Sequence, residues 1–157
     1  MPKTPVTIQA SRMDSADGSL LIAELNQVLT VITGDDGTAH FHPQDVMQEN
    51  ASFLIAYVAG IPCGCGALRQ ITADTGELKR IYARKNSLGV GSLLLGRLEE
   101  QARQFGYTRL LLETRIQNTN AIRFYQKNGY APCASYGAYI GNENSYCMGK
   151  QLYATAP

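Results

Sequence analysis

A chain of 157 residues with a formal net charge of +1, 45% hydrophobic and 17% charged, suits one domain that buries roughly 70% of its unfolded surface. So balanced a charge gives no field to hold nucleic acid or an anionic membrane, and no apolar run approaches a bilayer span. The opening MPKTPVTIQASRMDSADGS has no apolar stretch after Lys3, which predicts no signal peptide and a soluble, cytoplasmic protein.

In chain order, PVTIQ (5–9) alternates weakly and predicts a short strand. Asp14 and Ser15 offer N-cap chemistry for a helix in which Leu20, Leu21, Ile22, Leu25, Val28 and Leu29 recur at helical spacing. TGDDGT (33–38) ends it with turn residues, and AHFHPQDVMQEN reads as loop with one helical turn. FLIAYVA (53–59), CGALRQI (65–71) and ELKRIYA (77–83) predict three strands. Their joins, GIP and ADTG, are short, so the strands should form an antiparallel meander. Val90, Leu94, Leu98 and Ala102 mark the stripe of an amphipathic helix, widened by Leu93 and Phe105 and closed by Gly106. TRLLLET (108–114) is apolar enough for a strand buried on both faces. NTNAIRFYQKNGY predicts another helix, opened by an asparagine and stopped at Asn128-Gly129, before strands APCASY and SYCMGKQLY. The order is strand, helix, three strands, helix, strand, helix, two strands. That is a single mixed α/β domain, residues 1–157, built around a βαβ unit.

The cysteines are Cys63, Cys65, Cys133 and Cys147. Cys63 and Cys65 stand at Cys-x-Cys spacing on one face of a strand and predict core thiols rather than ligands or disulfides. His40 and His42 have no third ligand near them in sequence, so no metal is predicted and a surface or substrate-side place is expected.

RKNSLGVGSLL (84–94) places Gly89 and Gly91 where a strand gives way to a helix. Such a loop aims backbone N–H groups at one point, backed by the helix dipole, and glycine lets an anion approach closely. Leu88 to Ser92 would form the row of donors, although a turn needing glycine for geometry looks alike. A P-loop is excluded because no Gly-Lys-Ser/Thr follows. A dinucleotide fold is disfavoured: the third glycine position holds Leu94, ELKRIYA alternates, and no second βαβ unit follows. Glu113, 22 residues after Gly91, is the one feature such a fold would use.

Taken together, GELKRIYA, LGVGSLLLGRLEEQARQFGYTRLLLET and NTNAIRFYQKNGY resemble the GNAT superfamily of acyl-CoA-dependent N-acetyltransferases, over residues 52–152. The resemblance implies a GNAT-like mixed sheet with a splayed central strand pair. It makes the glycine loop, Asn86, Ser87, Leu88, Gly89, Val90, Gly91 and Ser92, a cradle for the coenzyme A pyrophosphate. The backbone of Ile81, Tyr82 and Ala83 would face pantetheine and thioester, and Asn118 would contact pantetheine. Glu77 matches the general base and Tyr125 the acid beside the departing thiolate; Asn118 and Tyr125, seven residues apart, share a helical face. The family loop usually carries Arg or Gln where Asn86 stands and glycine where Ser87 stands, with Arg84 and Lys85 near enough to supply charge.

The implied reaction is acetyl transfer from acetyl-CoA to a primary amine in a ternary complex, without metal. The amine must be deprotonated, since an alkylammonium with pKa near ~10 has no lone pair. A non-catalytic acyl-CoA-binding module and a dinucleotide-binding oxidoreductase are the alternatives. The acceptor stays open between a peptide N-terminus, a lysine side chain and a small amine. Tyr136, Tyr139 and Tyr146 around GAYIGNEN could wall the acceptor pocket or form a homodimer contact.

Overall fold

The computed structural model describes residues 4–153 apart from Asn86 and Leu88, with His40 described by its backbone alone. The elements are β1 (Val6–Ala10), α1 (Ala16–Thr33), β2 (Ser52–Val58), β3 (Ile61–Thr72), β4 (Thr75–Ala83), α2 (Val90–Gln104), β5 (Arg109–Arg115), α3 (Thr119–Lys127), β6 (Ala131–Pro132) and β7 (Ser145–Gln151). Among the described residues seven strands form one mixed sheet in the order β1-β2-β3-β4-β5-β7-β6. This is the predicted element order and the predicted class.

Local chemistry sets the boundaries. Ser15 caps α1 by accepting from the Gly18 amide at 3.1 Å, and Gly34, at φ +80°, closes it with its N–H on the Thr30 carbonyl. Gly106 (φ +89°) follows the end of α2 as expected. The β2–β3 turn is Ala59-Gly60, both at positive φ, rather than GIP. That tight turn lets Ile61 pair with Val58, so β3 begins four residues before the expected Cys65. The strand expected over APCASY is only Ala131–Pro132, because proline cannot extend a ladder and is confined to an edge. Between α1 and β2, where one helical turn is expected, there are two short 3-10 turns, Thr38–His40 and Pro43–Val46.

Alternation along β2 divides the core. Leu54 and Ala56 join Leu94, Leu98 and Ala102 of α2, whereas Phe53 and Ile55 join Leu21 of α1. Tyr125 of α3 belongs to the α2 side. Gly64 and Gly66 allow α2 to settle closely on β3. A Cβ on Gly64 would lie 2.9 Å from Leu94 Cδ1, and one on Gly66 would lie 2.8 Å from Leu98 Cδ1. All four cysteines are free. Cys63 and Cys65 fall in different core clusters, not on the shared face expected, because an irregularity at Ala56/Tyr57 leaves Cys63 as an extra residue in β3.

Two features shape the centre of the sheet. β4 and β5 are parallel and joined only at Thr75↔Arg109, Gly76↔Leu110 and Glu77↔Leu111. The register of β4 on β3 then shifts between Lys79 and Tyr82, with Arg80 at φ +58°. A bulge sharpens the local twist, which turns the second half of β4 away from β5. β5 meanwhile stays paired with β7 as far as Arg115. The expected splayed pair is therefore β4 and β5.

Candidate active site

The gap between the splayed strands opens into a cleft of about 750 Å³. Its walls are β4 from Leu78 to Ala83, β5 from Glu113 to Arg115, the α1 side chains Leu25, Val28 and Ile32, and the α3 side chains Asn118, Phe124 and Tyr125. Gly91, Lys85 and Tyr139 complete it. Ile81, Tyr82, Ala83, Gly91, Asn118 and Tyr125, far apart in sequence, are thus brought to one place. A second hollow of about 540 Å³, beside Asp45, Glu49 and Arg69, holds none of the expected residues.

At one end of the cleft α2 begins. Gly89 takes φ +78°, a left-handed conformation that favours glycine, and caps the helix without a side-chain bond. At Gly91 a Cβ would stand 3.1 Å from the Phe124 ring, so the missing side chain lets α3 approach the start of α2. The Ser87 hydroxyl bonds the Arg84 carbonyl, and the Val90 amide donates to the Ser87 carbonyl at 3.2 Å. Val90 itself is buried in the α2 core, and Ser92 is exposed on the first turn. Asn86 and Leu88 lie outside the described residues. Arg84 is committed elsewhere: its guanidinium grips Glu24 of α1 at 2.6 and 2.9 Å, which holds that carboxyl below its usual range. Lys85 is the exposed cation left to face the cleft.

In the middle, Asn118 caps α3 by accepting from the Ala121 amide at 3.3 Å while also lining the cleft. Tyr125 stands two turns along the same helix. Burial pushes its phenol well above the ordinary tyrosine range, so it keeps its proton. Ring contacts with Phe124 and Tyr130 fix its plane, and its hydroxyl has no hydrogen-bond partner among the described residues.

The third group is carboxylates and cations. Glu77 is 1% exposed and does not line the cleft. Its Oε1 accepts from Arg69 Nε at 2.8 Å and its Oε2 from the Tyr136 hydroxyl at 2.5 Å. Arg69 also reaches Asp45 at 3.1 Å, so the Glu77 carboxylate is the inner end of an ion-paired chain. Two carboxylates line the cleft: Asp35, exposed and 3.5 Å from Arg115, and the more buried Glu113, whose Oε2 accepts from the Ser145 hydroxyl at 2.5 Å. From sequence, Glu113 has a role only as the ribose contact of a dinucleotide fold. The signal for its present place is its position in β5, directly after the apolar run Leu110–Leu112. Lys79 faces the same space, bonded to the Tyr139 hydroxyl, and burial lowers its ammonium pKa. Tyr139 is thus a wall of the cleft, one of the two roles open for it. His42 lies on the surface, its amide donating to Asp45 at 2.9 Å.

A family model described as the acetyltransferase (GNAT) family matches residues 20–130. The chain belongs to the GNAT acetyltransferases. It is an acyltransferase, and the GNAT family uses acyl-CoA. An "IAA acetyltransferase" of Azospirillum brasilense is 31% identical over 158 residues, spanning 97% of this chain and 100% of that one. Among solved structures, a provisionally named acyl-CoA N-acyltransferase from Klebsiella pneumoniae superposes with a TM-score of 0.81 at 28% identity, covering 96% of this GNAT chain and 100% of its own. A GNAT family acetyltransferase from Elizabethkingia anophelis with acetyl-CoA bound shares the fold at a TM-score of 0.69 and 18% identity, covering 96% and 100%. Among the described residues no helix is long and apolar enough to cross a membrane.

Proposed function

We propose that this protein moves the acetyl group of acetyl-CoA directly onto an amine inside the cleft. One observation carries the reading: β4 loses its β5 partner after Glu77, and the unpaired stretch runs toward the glycine-started helix α2. Backbone groups of Ile81, Tyr82 and Ala83 then lie open along one wall, where an extended amide-bearing arm can bond as a strand would. Gly89, Val90, Gly91 and Ser92 present helix N-terminal amides for a pyrophosphate, with Ser87 and the exposed Lys85 beside them; Asn86 and Leu88 keep the place in that cradle given by the resemblance. Asn118 offers a polar contact midway.

The chemistry then falls to the groups between. Tyr125, protonated and unpartnered, donates to the sulfur as the thioester breaks. Proton removal from the amine is assigned to Glu113, the more buried of the two carboxylates that line the cleft, Asp35 lying exposed beside Arg115. Glu77, placed by family resemblance as the base, acts from behind by holding Tyr136 against Tyr139, whose rings stand 5.3 Å apart. The kinship with an "IAA acetyltransferase" supports acetyl as the transferred group.

The test is thiol release from acetyl-CoA against a panel of primary amines, with product masses recorded. Amine-dependent release, one acetyl gained per thiol freed, is expected. Thiol release that no amine accelerates, despite acetyl-CoA binding, would leave a binding module and overturn the reading.

A further inference from the structure

Lys79 and Glu113 define a pair of opposite charges that the fold keeps apart. Each lies two residues past the last β4–β5 rung, Glu77↔Leu111, so the two stand level where the strands begin to part. Leu78 and Leu112 are both in the α2-side core, so by alternation Lys79 and Glu113 both look to the α1 side. No carboxylate lies within ion-pair distance of Lys79 among the described residues, although Glu77 and, more weakly, Glu113 are close enough to act on its charge. The Lys79 ammonium is mostly withdrawn from water, with the Tyr139 hydroxyl as its partner. One oxygen of Glu113 is taken by Ser145, and Arg115 stands 3.7 Å away. Beside them α1 offers Val28 and Ile32, apolar side chains that remain 42% and 37% exposed.

A half-buried cation whose nearest carboxylates stand beyond ion-pair distance has room for an anion in direct contact. We propose, resting on the acetyltransferase reading above, that the acceptor is a small zwitterion: an α-amino acid with an apolar side chain. Its carboxylate pairs with Lys79 and the Tyr139 hydroxyl, its ammonium meets Glu113, and its side chain lies against Val28 and Ile32. The nitrogen passes its proton to Glu113 and its lone pair then forms the new bond to the acetyl carbon. The carbon–sulfur bond breaks, coenzyme A leaves as the thiol with a proton from Tyr125, the second proton lost by the nitrogen restores the Tyr125 phenol, and the proton on Glu113 passes to solvent.

The experiment compares leucine with leucine methyl ester as acceptors for the wild-type protein, Lys79→Met and Lys79→Arg. A charge-assisted contact predicts that wild type favours leucine by roughly ten- to a hundredfold in kcat/KM, mainly through KM. That ratio should fall toward one in Lys79→Met and be largely retained in Lys79→Arg. Equal use of both acceptors by wild type, or a ratio indifferent to Lys79→Met, would overturn the proposal while leaving acetyl transfer standing. A binding arm covers the case in which no amine is acetylated. N-acetyl-leucine with coenzyme A should raise the unfolding temperature of wild type more than coenzyme A alone, and Lys79→Met should lose the increment. No increment in wild type would refute the carboxylate site independently of turnover.

Discussion

The two faces of β4 are built on different rules. Toward α2 the strand presents Leu78, Ile81 and Ala83, and the neighbouring β3 presents glycines so close to the helix that no Cβ fits. Toward α1 it presents Glu77, Lys79, Arg80 and Tyr82, each tied to a side chain distant in sequence. The first face is made of small side chains and backbone, which suits a cosubstrate recognised through amides and a helix start. The second is made of charges and hydroxyls, which suits an acceptor recognised through its functional groups. The bulge at Arg80 separates the two uses by turning the strand just past Lys79.

Substitutions on the α1 side should break chemistry first. Glu113→Gln removes the more buried carboxylate of the cleft, and a kcat lower by about a thousandfold is expected, read by thiol release with an intact unfolding temperature. Glu77→Gln should lower kcat far less while lowering stability, because it breaks the Arg69 pair. If the two variants exchange these effects, Glu77 is the base and the division of roles is wrong. Tyr125→Phe, at the junction of the faces, should lower kcat by about a hundredfold and leave acetyl-CoA affinity within a fewfold.

The α2 side should answer in stability instead. Gly64→Ala puts a Cβ 2.8 Å from the Tyr82 carbonyl oxygen and 3.1 Å from Val90 Cγ1. Overpacking of this kind costs about 2 kcal/mol, or roughly 4–8 °C in the unfolding temperature of a domain this size. A milder effect would mean that α2 can lift from the sheet and that the helix start is less fixed than the geometry indicates.

The smallest effect concerns the seam between α1 and the sheet. The Tyr57 hydroxyl donates to Asp17 at 2.6 Å, which, with burial, raises its pKa to about 12. Burial and then the bond to Glu24 raise Tyr82 to about 12 as well. Both folded values lie above the unfolded value of about 10, so their contribution is complete below pH ~10 and is lost as pH rises toward 12. Unfolding temperatures measured from pH 9 to 12 should fall through that window, and less steeply in Tyr57→Phe.

The contrast also explains what could be read from the sequence. Helix caps at Ser15 and Asn118, the Val90-Leu94-Leu98-Ala102 stripe of α2 and the glycines at 89 and 91 are local patterns, and each lies where it was expected; Leu93, expected to widen the stripe, is exposed, and Leu95 is buried in its stead. The α1 side depends on partners 24 to 60 residues apart, such as Arg69–Asp45 and Arg84–Glu24, which no short window contains. Arg80 carries no sign of its positive φ, so the bulge that opens the cleft was invisible. The resemblance points to Glu77 as the base and the sequence offers Glu113 only as a ribose contact; only the third dimension shows the first bound to Arg69 and the second lining the cleft.

The most direct test is thermal unfolding with acetyl-CoA, with NADH alongside. At a hundred times its dissociation constant acetyl-CoA should add about 2.7 kcal/mol, a rise of roughly 5–10 °C, and NADH should add nothing. A shift with NADH, or none with saturating acetyl-CoA, would contradict the assignment of the open β4 edge and the start of α2 to coenzyme A.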